Sequence, residues 1–101
     1  MRHWLMAMMM AAMPGAALAQ DADAGRMVAQ TWCANCHTVA ARPTISADQV
    51  PSFAEIANRP GVTADGLRTF LSAPHGRMPD LSLSRTDIDN AIAYLLTLRA
   101  K

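Results

Sequence analysis

Lysine is almost missing from this 101-residue sequence: Lys101 is the only one, and every other basic side chain is an arginine. No lysine-rich ring exists that could dock a strongly acidic partner. The formal charge is +1, from Lys+Arg 9 and Asp+Glu 8, and no basic face or stripe can be drawn, which argues against a nucleic-acid partner. The strict apolar/polar alternation of strands is lacking too, and with it any sign of folds that alternate strands and helices. Internal repeats and linker-like stretches are absent, so one domain is expected. Cysteine is limited to Cys33 and Cys36, and histidine to His3, His37 and His75.

A long apolar run is also wanting. After the basic head Met1-Arg2-His3, residues 4–12 are wholly apolar, but Pro14 and Gly15 break the run, and 4–19 falls short of the ~20 residues that span a bilayer. Ala17-Leu18-Ala19 has the small-x-small form of a cleavage site. Residues 1–19 therefore read as a secretory signal cut before Gln20; a retained membrane anchor is the alternative. Residues 20–101 would then be a single domain, in which seven arginines and Lys101 balance eight acidic residues. Such a small domain has little apolar core of its own and usually needs a staple.

What is present is Cys33-Ala34-Asn35-Cys36-His37. C-x-x-C-H is the pattern by which two thiols add to the vinyl groups of a haem while the adjacent imidazole binds its iron. The spacing suits this, because cysteines three apart lie about one helical turn from each other and can reach one edge of a flat macrocycle. Three other uses of the motif compete: a simple disulfide, a thiol–disulfide redox pair, and half of a zinc site. The redox pair belongs in strand–helix folds, and four-coordinate zinc needs two further ligands. A covalently held haem would also supply the missing staple and apolar filling.

The chain pattern is helical throughout. Asp21 or Asp23 can cap a first helix running to about residue 35, with Ala24, Val28, Thr31 and Trp32 as its mostly apolar stripe. Residues 38–50 read as loop. Ser52-Phe53-Ala54-Glu55 has the form of a capping box and opens a short helix, 53–58, ahead of Pro60-Gly61. Thr63 can cap a third helix, 64–72, with Leu67, Phe70 and Leu71 on one face and Pro74 beyond its end. Ser84-Arg85-Thr86-Asp87 opens the last helix, whose inward stripe is Ile88, Ala91, Ile92, Leu95 and Leu96, with Tyr94 beside it. The expected fold is all-α: three main helices and one short one.

With His37 on one side of the iron, the sixth ligand separates electron transfer from chemistry. Of the eight methionines, six precede Gln20, leaving Met27 and Met78. Met27 sits on the helix that delivers the cysteines, too close to His37 to reach the opposite face, and reads as a core residue. Met78 lies far enough along the chain to cross over, and Pro79 keeps it in an extended loop. Met78 is the expected ligand; His75 and a vacant or water-filled position are the alternatives.

Taken in order, Gly25, C-A-N-C-H, Met78-Pro79 and Ile92-Ala93-Tyr94-Leu95-Leu96 resemble the small bacterial monohaem cytochromes c of class I over nearly all of residues 20–101. The resemblance implies a compact cytochrome c fold around one covalently attached haem c, with its iron. In that fold the first and last helices cross near Gly25 and Tyr94. Pro51-Ser52-Phe53 matches a family segment in which Pro51 would offer its carbonyl to the His37 Nδ1–H and orient the imidazole. Arg59 matches an arginine near a haem propionate. Three positions depart from the family pattern: Ala29 replaces an aromatic residue, Val50 a glycine, and Phe70 the tyrosine that some relatives aim at the methionine sulfur.

The function implied is a single-electron carrier rather than an enzyme, because both axial positions are filled. Haem attachment in this family implies export to the periplasm. The expected partners are redox proteins, a dehydrogenase as donor and an oxidase or quinol-oxidising complex beyond. They would meet an exposed haem edge near Trp32, Ala34, His75 and Arg77, with the carrier a monomer or in a transient heterocomplex. A haem-bearing subunit of a periplasmic dehydrogenase complex, and a haem sensor with a labile sixth ligand, are the rival functions.

Overall fold

A computed structural model describes residues 21–41, 50–73 and 78–100. The signal segment and its boundary at Gln20, most of the 38–50 loop, and His75 and Arg77 lie outside the described residues. Four helices follow one another: α1, Ala22–Val28, continuing through a widened turn at Ala29–Cys33; α2, Phe53–Ala57; α3, Ala64–Leu71; and α4, Arg85–Leu96. No strand occurs among the described residues, so the all-α expectation holds. No helix among them is long and apolar enough to cross a membrane.

Every helix starts where its cap residue predicts. The Asp21 side chain accepts from the Asp23 and Ala24 amides, Ser52 from Glu55, Thr63 from Gly66, and Ser84 from Asp87. Each satisfies donors that the first helical turn leaves open. The α2 and α3 helices end one residue earlier than expected, at Ala57 and Leu71.

The α1–α4 crossing dominates the packing. A Cβ on Gly25 would lie 1.7 Å from the Asn90 carbonyl oxygen, so only glycine lets the two backbones meet there. The crossing is at Asn90 and Ala91, one turn ahead of the expected Tyr94. Asn90 secures it by accepting the Asp21 amide at 2.9 Å. Ile88, Ala91, Ile92 and Leu95 are buried along α4 as the apolar stripe requires.

On α1 the structure corrects the sequence pattern. The buried residues are Gly25, Ala29 and Cys33, not Ala24, Val28, Thr31 and Trp32. Met27, expected in the core, is 69% exposed, and Trp32 is 47% exposed. For Trp32 and Cys33 the cause is the widened turn, closed by the Ala34 amide donating to the Ala29 carbonyl at 2.9 Å; Ala24, Met27 and Val28 precede it, and their placement follows from Gly25 facing α4. An i→i+5 turn rotates each residue through less than the about 100° of an α-helix. The shortfall swings Trp32 off the inner face and brings Cys33 into line with Gly25 and Ala29. Ala29, fully buried, occupies the position of the family's aromatic residue, where Cys33, Val39, Phe53, Ala57 and Leu95 close the core around it.

Candidate functional site

The widened turn delivers the C-x-x-C-H segment, and one further turn of main chain shapes it. The Cys33 carbonyl accepts from the Cys36 amide at 3.1 Å and from the His37 amide at 2.8 Å. Cys33 is buried and Cys36 exposed, and the two are not joined to each other. Burial pushes the Cys33 thiol above its ordinary value, since the thiolate would lose hydration.

His37 is held from two sides. Its Nδ1 lies 2.6 Å from the Pro51 carbonyl oxygen. A carbonyl can only accept, so Nδ1 is the donor in this bond and Nε2 is the ring nitrogen left for another partner. The Phe53 ring packs against the imidazole with centroids 5.7 Å apart, tilted by 59°, and Tyr94 stands behind Phe53 at 6.4 Å. The residues after the histidine are fastened as well. Phe53 donates its amide to the Thr38 carbonyl at 2.9 Å, and the Tyr94 hydroxyl donates to the Val39 carbonyl at 2.5 Å. The Ser52 cap, fully buried, fixes the backbone between Pro51 and Phe53 and so aims both groups at His37. The contact of Pro51 with His37 is the one the family resemblance implies, and it forms although Val50 replaces the family's glycine.

Sequence reasoning singled out Pro51 but missed the Tyr94 hydroxyl and Val39 as parts of this support. That bond joins residues 55 apart in sequence, and no local pattern announces such a pairing.

Met78 is half-buried and lines a cavity of about 740 Å³ between α3, α4 and the segment leading into α4. Leu71, Leu83 and Ile88 supply its apolar wall, and Arg68, Asp80 and Arg85 its polar side. Cys33, Cys36 and His37 are brought together by the structure, but they do not line this cavity. Arg59 is exposed, and its side chain has no partner among the described residues. Phe70 is 51% exposed.

The donor set fits a haem. An imidazole with Nδ1 tied to a carbonyl presents its Nε2 to iron in one fixed orientation, and two thiols one turn away can bond the macrocycle edge. Zinc fits less well: no cluster of three His, Cys, Asp or Glu side chains exists among the described residues. An all-α fold organised around a C-x-x-C-H segment with an oriented histidine is that of a c-type cytochrome.

Comparison with known proteins carries this to a family. The family model described as cytochrome c oxidase, cbb3-type, subunit III matches residues 20–95, and the chain belongs to that family. It is 45% identical over 83 residues to cytochrome c-552 of Bradyrhizobium diazoefficiens (strain JCM 10833 / BCRC 13528 / IAM 13628 / NBRC 14792 / USDA 110), an alignment covering 82% of this chain and 80% of the relative. No solved structure gives a significant match. The protein is a small monohaem c-type cytochrome, with covalently bound haem c and its iron as cofactor and electron carriage as its work.

Proposed function

We propose that Cys33 and Cys36 form the two thioether bonds to the haem, that His37 and Met78 are its axial ligands, and that the exported protein carries single electrons between periplasmic redox partners. The observation that carries this reading is the 2.6 Å contact of His37 Nδ1 with the Pro51 carbonyl. It fixes the tautomer and the ring plane that an iron-binding imidazole needs. Haem c, when bound, supplies a one-electron ferrous/ferric couple. The chain's part is to hold both ligand side chains still, to keep water away from Cys33 and Phe53, and to leave no open position for a substrate. A soft methionine sulfur and an apolar surround both favour the less charged ferrous form, which raises the potential.

Signal cleavage before Gln20 places the mature chain in the periplasm, where a dehydrogenase would donate and an oxidase or quinol-oxidising complex would accept. Trp32 and Ala34 are exposed beside the first cysteine, which suits a weak, short-lived docking patch. A second reading is favoured by the family's description as an oxidase subunit: the chain could serve as a fixed electron-transfer subunit. Co-purification with a catalytic chain would support that reading, whereas isolation as a monomer supports the free carrier.

An optical spectrum of the exported protein tests the ligand assignment. Wild type is expected to show low-spin bands with the weak red methionine-to-ferric-iron transition, and Met78→Ala is expected to lose that transition. Its persistence in Met78→Ala would remove Met78 from the iron. A mass measurement on the same sample checks both the cut before Gln20 and the added haem.

A further inference from the structure

The two helices that flank Met78 are joined by an ion pair as well as by packing. No residue of α3 is fully buried, and Leu67 and Leu71 are only half-buried. Across the gap, Arg68 donates from Nε to Asp89 Oδ1 on α4 at 2.6 Å, with the two side chains 26% and 24% exposed. The same guanidinium reaches Asp65 Oδ1, one turn back on α3, at 2.7 Å. Asp89 first and Asp65 second hold Arg68 in its charged form. Arg68 shares the wall of the cavity with Met78, Leu71 and Ile88, and Asp89 follows the buried Ile88 directly. Asp89 does not itself line the cavity, but the ion pair joins α3, which carries Leu71, to α4, which carries Ile88, at the cavity's edge.

We propose that Arg68 is a positioning residue: its ion pair with Asp89 sets the separation of α3 and α4, and through it the seat of the Met78 thioether. This rests on the reading of Met78 as an axial ligand. A pair three-quarters withdrawn from water is screened less than a surface pair. A guanidinium can also serve two carboxylates at once in a fixed plane, which a lysine cannot. Without the pair, the α3–α4 contact leans on half-buried side chains such as Leu67 and Leu71, and the Met78 side yields first. The His37 side is tied separately, through Pro51, Thr38 and Val39.

The test is imidazole titration of the ferric, haem-loaded protein, in which imidazole competes with the methionine sulfur. Arg68→Gln and Asp89→Asn are each expected to bind imidazole about fivefold more tightly than wild type, and the double variant no more tightly than the tighter single one. Arg68→Lys, which keeps the charge and loses the fork, should fall between. Asp65→Asn should stay near wild type, because that carboxylate is 93% exposed. Wild-type imidazole affinity in both Arg68→Gln and Asp89→Asn, whatever their thermal stability, overturns the proposal and leaves the pair a stabilising contact only. A wild-type spectrum without the methionine transition sinks the Met78 reading instead, so the two failures are distinguishable.

Discussion

Cys33 and Cys36 are chemically alike and three residues apart, yet the fold treats them differently. Cys33 sits at 8% exposure in the core, with its thiol raised by burial, while Cys36 faces solvent. The raised value has a definite sign for stability. Below the ordinary thiol value of 9.0 both folded and unfolded chains keep the proton, and pH has no leverage through this group. Above it the unfolded chain ionises first, so stability falls as pH rises towards the folded value. Denaturant midpoints of the chain before haem attachment should therefore drop above that pH. The drop should shrink in Cys33→Ala and in the haem-bound protein, where a thioether has nothing to titrate. An equal drop in all three would show that Cys33 is not its source.

At the scale of elements, the α1–α4 crossing and the widened turn carry the strongest expectations. Gly25→Ala would press a methyl group onto the Asn90 carbonyl, 1.7 Å away, and backbone on both sides cannot yield. A loss of about 3 kcal/mol or more is expected in chemical denaturation. A loss below about 1 kcal/mol would mean that the helices do not meet at that point. The widened turn makes the opposite kind of prediction. Deleting exposed Gln30 would leave a plain α-helix in which the thiol of Cys33 stands seven residues after Gly25, still on the inner face. Haem incorporation should persist, with stability changed by about 1 kcal/mol at most. Loss of the first thioether on deletion would show that the extra residue itself is needed to place the sulfur.

Across the whole molecule, the C-terminal tail closes the fold over the histidine side. Asn58 donates to the Ala54 and Leu98 carbonyls at 2.7 and 3.2 Å and accepts the Ala100 amide at 2.7 Å. Arg99 donates to the Ala57 and Val62 carbonyls. These bonds tie the end of α2, and hence Ser52 and Phe53 at its start, to the chain beyond α4. Asn58→Ala should cost about 1 kcal/mol in thermal unfolding of the haem-bound protein. Its absorption spectrum and imidazole affinity should stay unchanged, since neither Asn58 nor its partners Ala54, Leu98 and Ala100 line the cavity that holds Met78. A shifted methionine transition in Asn58→Ala would show that the tail couples to both sides of the haem.

Local chemistry alone determined much of this protein. Cap side chains act within three residues, so Ser52, Thr63 and Ser84 marked three helix starts and Asp21 or Asp23 the first, where the structure uses Asp21. The apolar period of α4 named its buried face, and C-x-x-C-H declared the haem because its chemistry needs only five consecutive residues. Only the tertiary structure decided that Gly25 faces α4 and so which face of α1 turns inward, and that a single i→i+5 turn, invisible in composition, rotates Trp32 and Cys33 beyond it. It also decided that Tyr94 would brace Val39 and that Arg68 would find Asp89. Such partners are chosen by how helices cross in space, and that crossing is set at Gly25 by the close approach of two backbones.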